Sequence, residues 1–198
     1  MTLVTPAIRE ELTALYSSPT RHYHSLNHIT ALLSLLSTHR HHFADPFAVE
    51  AAIWFHDAIY NPRATGASNE LQSAELAVAR LSGTVDDKRL AWIRQVIEAT
   101  ATHALPEELE EHEANDAALF LDMDLSILGV EEAVFDEYEA AVRKEYNFVS
   151  DEAWRTGRAA VLGGFLGRER VYHSELFRGL YEESARSNLK RSLERLGA

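Results

Sequence analysis

The 198 residues carry 31 acidic against 19 basic side chains, a formal charge of −12, and so acidic a surface repels a phosphate backbone, which argues against nucleic acid as a partner. Hydrophobic residues make up 46% of the chain, yet no run reaches the roughly 18 apolar residues of a membrane-spanning helix, so no membrane partner is expected. There is no cysteine, which excludes disulfides and thiolate ligands and leaves His, Asp and Glu to hold any metal.

The length suits one domain, or one domain with an extension, and is enough to bury a sizeable core. The N-terminus, Met-Thr-Leu-Val-Thr-Pro-Ala-Ile-Arg-Glu-Glu, lacks the basic start and apolar stretch of a secretory signal, and a reducing cytoplasm is the expected compartment.

In chain order, Thr5-Pro6 reads as an N-cap with Pro at the first helical position, opening a helix over about 6 to 16 with Ile8, Leu12 and Leu15 on one face. Ser17-Ser18-Pro19-Thr20 breaks it. Residues 21 to 28, Arg-His-Tyr-His-Ser-Leu-Asn-His, lead into Ile29, Leu32, Leu33 and Leu36, the spacing of an amphipathic helix. His28 lies beside the buried stripe, and His24, four residues earlier, points the same way if the helix has begun. His39, His41 and His42 fall at the polar end and read as solvated.

Asp45-Pro46 opens a second capped helix whose residues 47 to 55 are apolar on nearly every side, the pattern of a helix buried all round. It ends at the adjacent pair His56-Asp57. Residues 61 to 68 are a loop by composition. Asn69 fits an N-cap with Gln72 at the third helical position, for a helix to about Leu81. A Ser-Gly-Thr turn leads to a helix over 86 to 101, capped by Asp86, with Leu90, Ile93, Val96 and Ile97 inward. Residues 102 to 113 are polar, and the next helix runs through 119 to 128 and stops at Gly129. Further helices are expected at about 131 to 145, 151 to 167 and 174 to 195. With no period-2 segment, repeat or low-complexity linker, the fold class is all-α, a compact multi-helix bundle.

Three apolar helices thus carry isolated polar insertions: His28 with His24, His56-Asp57, and Asp122 or Asp124. A buried helix does not tolerate several unpartnered ionisable groups, since even a neutral one costs roughly 2–7 kcal/mol. Two imidazoles and two carboxylates form a coherent ligand set for a divalent ion with positions left open for water and substrate.

This set resembles the HD-domain metal-dependent phosphohydrolases, whose pattern is His, then His-Asp, then a distant Asp on helical scaffolding. The small bacterial members of unassigned substrate look closest, over most of the chain. Tyr23-His24-Ser25-Leu26-Asn27-His28 is similar to the Tyr-His-x-x-x-His segment of the cyclic-nucleotide phosphodiesterase branch, and Met123-Asp124-Leu125-Ser126 to its Ala-Asp-Leu-Ser segment. The resemblance implies a single HD-type domain over 1 to 198 with a helical C-terminal extension. It implies His28, His56, Asp57 and Asp124 as metal ligands, with Asp122 the second choice for the last. His24 is then the acid that protonates the leaving oxygen, and Asp57 is catalytic as well as ligating.

The two-metal branch supplies extra His ligands between the doublet and the last Asp, where this chain offers His103 and His112, plus Glu70. His103, Glu70 and Ser73 are candidate substrate contacts, and His112 reads as a surface residue. Arg21, Arg143 and Arg158 are candidates for a phosphate, because guanidinium offers a bidentate fork.

The expected function is metal-dependent hydrolysis of a phosphate ester, the substrate being a nucleotide or similar small phosphorylated metabolite. Manganese, iron, magnesium and zinc all suit the ligand set, and self-association stays open. The rivals are a non-catalytic nucleotide-binding module and a di-iron oxygenase of the same superfamily.

Overall fold

The computed structural model describes residues 2–64 and 68–197, so Thr65, Gly66 and Ala67 of the expected loop lie outside the described residues. The chain is all-α. Among the described residues the helices are α1 Pro6–Tyr16, α2 Leu26–Thr38, α3 Pro46–Phe55, α4 Asn69–Leu81, α5 Asp87–Ala99, α6 Glu111–Leu125, α7 Glu132–Glu145, α8 Asp151–Leu166 and α9 Glu175–Leu196. Short 3₁₀ turns at Arg40–His42 and Ser126–Gly129 precede α3 and α7. No helix among the described residues is long and apolar enough to cross a membrane.

The helix starts follow from side chains that satisfy otherwise orphaned N–H groups. Thr5 accepts from Ile8, Asp45 from Phe47 and Ala48, and Asp86 from Arg89, with Pro6 and Pro46 at first helical positions. At α4 the cap sits one residue earlier than the sequence suggests. Ser68 accepts from the Leu71 N–H at 3.1 Å, while the Asn69 amide oxygen accepts from the Asn61 N–H at 2.9 Å and closes the preceding loop.

Two other boundaries move for identifiable reasons. α6 begins at Glu111, inside the stretch expected to be loop, because Glu113 reaches back to the Glu110 N–H at 3.1 Å, the return half of a capping box. Its α-helical hydrogen bonding ends at Leu125 rather than Leu128. The Tyr172 hydroxyl donates to the Leu125 carbonyl at 3.1 Å, and the Asn188 amide donates to those of Leu128 and Val130 at 3.0 and 2.9 Å. A Cβ on Gly129 would stand 2.5 Å from that of Tyr181. This glycine is therefore set by close approach to α9, not by a left-handed helix stop.

The chain divides into two compact units, Met1–Met123 and Asp124–Ala198, the boundary falling within α6. In the first unit α3 packs against α1, α2, α4 and α5, and Ala48, Val49, Ala51, Ala52, Ile53, Trp54 and Phe55 are all buried. Its N-terminus is further fixed by the buried Asp116, which accepts from the Ala44 and Asp45 N–H groups at 2.9 and 2.7 Å. In the second unit α9 packs against α8 and the 3₁₀ turn, over a core that includes Phe135, Leu162, Phe177 and Leu189.

Candidate metal centre

The apolar surroundings of α3 decide what its last turn can do. His56 caps the helix, its side chain 1% exposed, and in that setting both ring nitrogens need partners. Nδ1 donates to the Ile53 carbonyl at 2.9 Å. A carbonyl can only accept, so the neutral ring carries its proton on Nδ1 and presents a lone pair on Nε2.

That Nε2 lies 3.2 Å from His28 Nε2 and 3.0 Å from Asp57 Oδ2, and His28 Nε2 lies 3.7 Å from the same carboxylate oxygen. His28 comes from the first turn of α2, on the stripe with the buried Ile29 and Leu32. α2 packs directly against α3, which is how residues 28 positions apart in sequence meet. Three such atoms this close need positive charge among them, either a proton on an imidazole nitrogen or a metal ion. Donors about 2.1 Å from an ion are separated by about 3.0 Å at a right angle and about 3.4 Å at the tetrahedral angle. The observed separations bracket those values, so the three residues could hold a metal ion.

In the metal-free protein, protons on the imidazoles supply that charge. Burial pushes the Asp57 carboxyl up, but the His56, His24 and His28 imidazoles outweigh it and hold the group well below the usual carboxylate range. With a side chain 15% exposed, against 5% for His28, Asp57 marks the more open side.

His24 sits near the trio by a different route from the one its spacing suggests. α2 starts at Leu26 with Ser25 at the N-cap, so His24 lies in the turn before the helix, not one turn along it. Its ring stacks on Tyr60 at 4.1 Å between centroids and stands 6.5 Å from the His28 ring. Tyr60, which closes the apolar run, is a neighbour of the site that the sequence reading passed over.

Ser73 is buried, accepting from the Ile59 N–H at 3.0 Å and donating to its carbonyl at 3.2 Å, which ties α4 to the segment just after Asp57. Glu70 lies in the first turn of α4. His103 lies in the turn after α5, in the left-handed region at φ 50°, its N–H donating to the Ala99 carbonyl, and His112 is exposed in the first turn of α6. Asp122 is fully buried in the first unit. Arg21 donates to the backbone carbonyls of His24, Asp57 and Ala58.

Asp124, Arg143 and Arg158 belong to the second unit. Arg143 donates to the Tyr146 and Val149 carbonyls and to Asp151, bracing the turn into α8. Arg158 is buried between the Tyr138 hydroxyl, at 2.6 Å, and Glu139. Burial pushes the Tyr138 phenol up against the pull of Arg158, and the Glu139 and Asp124 carboxylates add to the rise.

No family model, curated protein or solved structure matches this chain.

Proposed function

We propose that the protein is a metal-dependent hydrolase of phosphate esters of the HD-domain type, acting on a nucleotide or similar small phosphorylated metabolite. The observation that carries this reading is the convergence of His28, His56 and Asp57, whose ligand atoms all lie within 4.8 Å of one another. The order of these residues in the chain, and the flanking Tyr23-His24 and Leu125-Ser126 contexts, support it.

A divalent ion in such a site supplies Lewis acidity, activating water and polarising a phosphoryl oxygen. The residues of the chain do the rest. The bond to Ile53 keeps the His56 lone pair turned inward, and the buried flank formed by Phe120, whose ring stands 5.9 Å from that of His56, excludes bulk water from one side. In this reading His24, held against Tyr60, gives a proton to the departing oxygen, a contribution of typically about 10²–10⁴ in rate.

Two imidazoles with one carboxylate are also the donor set of mononuclear iron(II) oxygenases. The deciding experiment is metal analysis followed by phosphomonoester, phosphodiester and diphosphate substrates with manganese, iron, magnesium or zinc, with oxygen uptake of the iron form as control. Metal-dependent phosphate release that disappears in His56→Ala supports the hydrolase. Oxygen consumption without phosphate release overturns it.

A further inference from the structure

The end of α3 shows an unusual way of disposing of terminal carbonyl groups. A helix commonly ends in a left-handed residue whose N–H takes up the last carbonyls, but α3 runs from Phe55 into His56, Asp57 and Ala58 with no residue there at positive φ. Five of its acceptors are taken up one by one, mostly by side chains. Ile53 accepts from His56 Nδ1 at 2.9 Å, Trp54 from the Tyr16 hydroxyl at 3.0 Å, and Phe55 from the Ala58 N–H at 3.0 Å. The Asp57 and Ala58 carbonyls go to one residue: Arg21 Nη1 donates to Asp57 at 2.6 Å and Nη2 to Ala58 at 2.7 Å.

The same Nη1 also donates to the His24 carbonyl at 3.1 Å. Arg21 therefore grips three carbonyls on two segments, one leading to His24 and His28, the other carrying Asp57. Its guanidinium carbon lies 5.0 Å from the centre of the Tyr16 ring and 5.7 Å from that of Tyr60, the ring on which His24 stacks. A cation suits the negative end of a helix. The planar fork spreads its fixed donors over two nitrogens and so spans carbonyls on two segments, whereas an ammonium group offers its donors from a single point.

We infer that Arg21 is the positioning residue of the metal centre, a clamp that sets the Asp57 carboxylate and the His24 turn in register with the imidazoles of His28 and His56. The inference rests on the reading of those residues as a metal centre. It gives Arg21 a task distinct from phosphate recognition: its two terminal nitrogens serve the backbone. Groups that orient metal ligands in this way typically carry about 10–100-fold of metal affinity.

The test is Co²⁺ titration of the metal-free 198-residue protein, wild type, Arg21→Ala and Arg21→Lys, followed by visible absorption of the bound ion. The clamp predicts that Arg21→Ala weakens Co²⁺ binding about 10–100-fold and alters the absorption bands that report coordination. Added guanidinium ion restores part of both, and Arg21→Lys resembles the Ala variant because charge alone does not bridge the carbonyls. If the Ala variant fails to fold, the Lys variant carries the test. Unchanged affinity and bands in both variants overturn the clamp while leaving the metal centre standing. So does a loss of affinity with unchanged bands that guanidinium does not repair, since that is general destabilisation. A wild type that binds no Co²⁺ overturns the metal centre and the clamp with it.

Discussion

The imidazole of His56 is tethered to its own helix, Nδ1 donating to the Ile53 carbonyl at 2.9 Å, so Nε2 alone faces His28 and Asp57. A ligand with one usable nitrogen has no substitute when it is removed. Replacing His56 or Asp57 by Ala is expected to abolish metal binding and activity together. The readout is thermal unfolding with and without manganese. An ion at about 100 times its Kd stabilises the wild type by about 2.7 kcal/mol, and the melting temperature of either variant should not respond.

His24 stacks on Tyr60 and lies outside the turn of α2 that carries His28, so it is expected to serve proton transfer and not metal binding. His24→Ala should retain stoichiometric metal. Its turnover should fall most, by about 10²–10⁴, for a substrate whose leaving group needs a proton, and little for an activated aryl phosphate. Equal losses on both substrates would show that His24 positions the phosphate instead.

Acid should weaken the metal-free protein through Asp57, and the sign follows from its neighbours. The carboxyl is held well below the usual range in the folded chain, against about 3.9 when unfolded. Its contribution to stability is therefore complete above about pH 4 and is lost as pH falls through the folded value. Urea unfolding of wild type and Asp57→Asn should show the wild type losing stability more steeply with acid below about pH 4. Parallel pH profiles would contradict the charge balance described for the site.

Asp116 ties α6 to the start of α3 through two backbone N–H groups at 2.9 and 2.7 Å. Asp116→Ala leaves those donors without an acceptor and is expected to cost about 1–3 kcal/mol, measured by denaturant unfolding. An unchanged midpoint would mean that water replaces the carboxylate without loss.

Much of the first unit was legible because its signals are local. Thr5-Pro6, Asp45-Pro46 and Asp86 cap the helices they were expected to cap, and the apolar run before His56 is the buried α3. The meeting of His28 with His56 and Asp57 was legible as chemistry, since buried ionisable groups on separate helices need each other. What escaped were features set by distant backbone. Nothing near Arg21 shows that its donors end on Asp57 and Ala58, because an arginine reads alike whether it meets a phosphate or a carbonyl. The 3₁₀ turn after Leu125 depends on Tyr172 and Asn188, dozens of residues later, and the shift of the α4 cap from Asn69 to Ser68 was hidden because both residues make good caps.

The most direct measurement is manganese binding to metal-free wild type and His28→Ala, by equilibrium dialysis with elemental analysis of the protein. His28 is chosen because it alone comes from α2, so its loss tests the convergence of two helices on one ion. Stoichiometric binding by the wild type that is absent in His28→Ala is the predicted result. A wild type that retains no ion, or a variant that retains as much as the wild type, would contradict a metal centre at His28, His56 and Asp57.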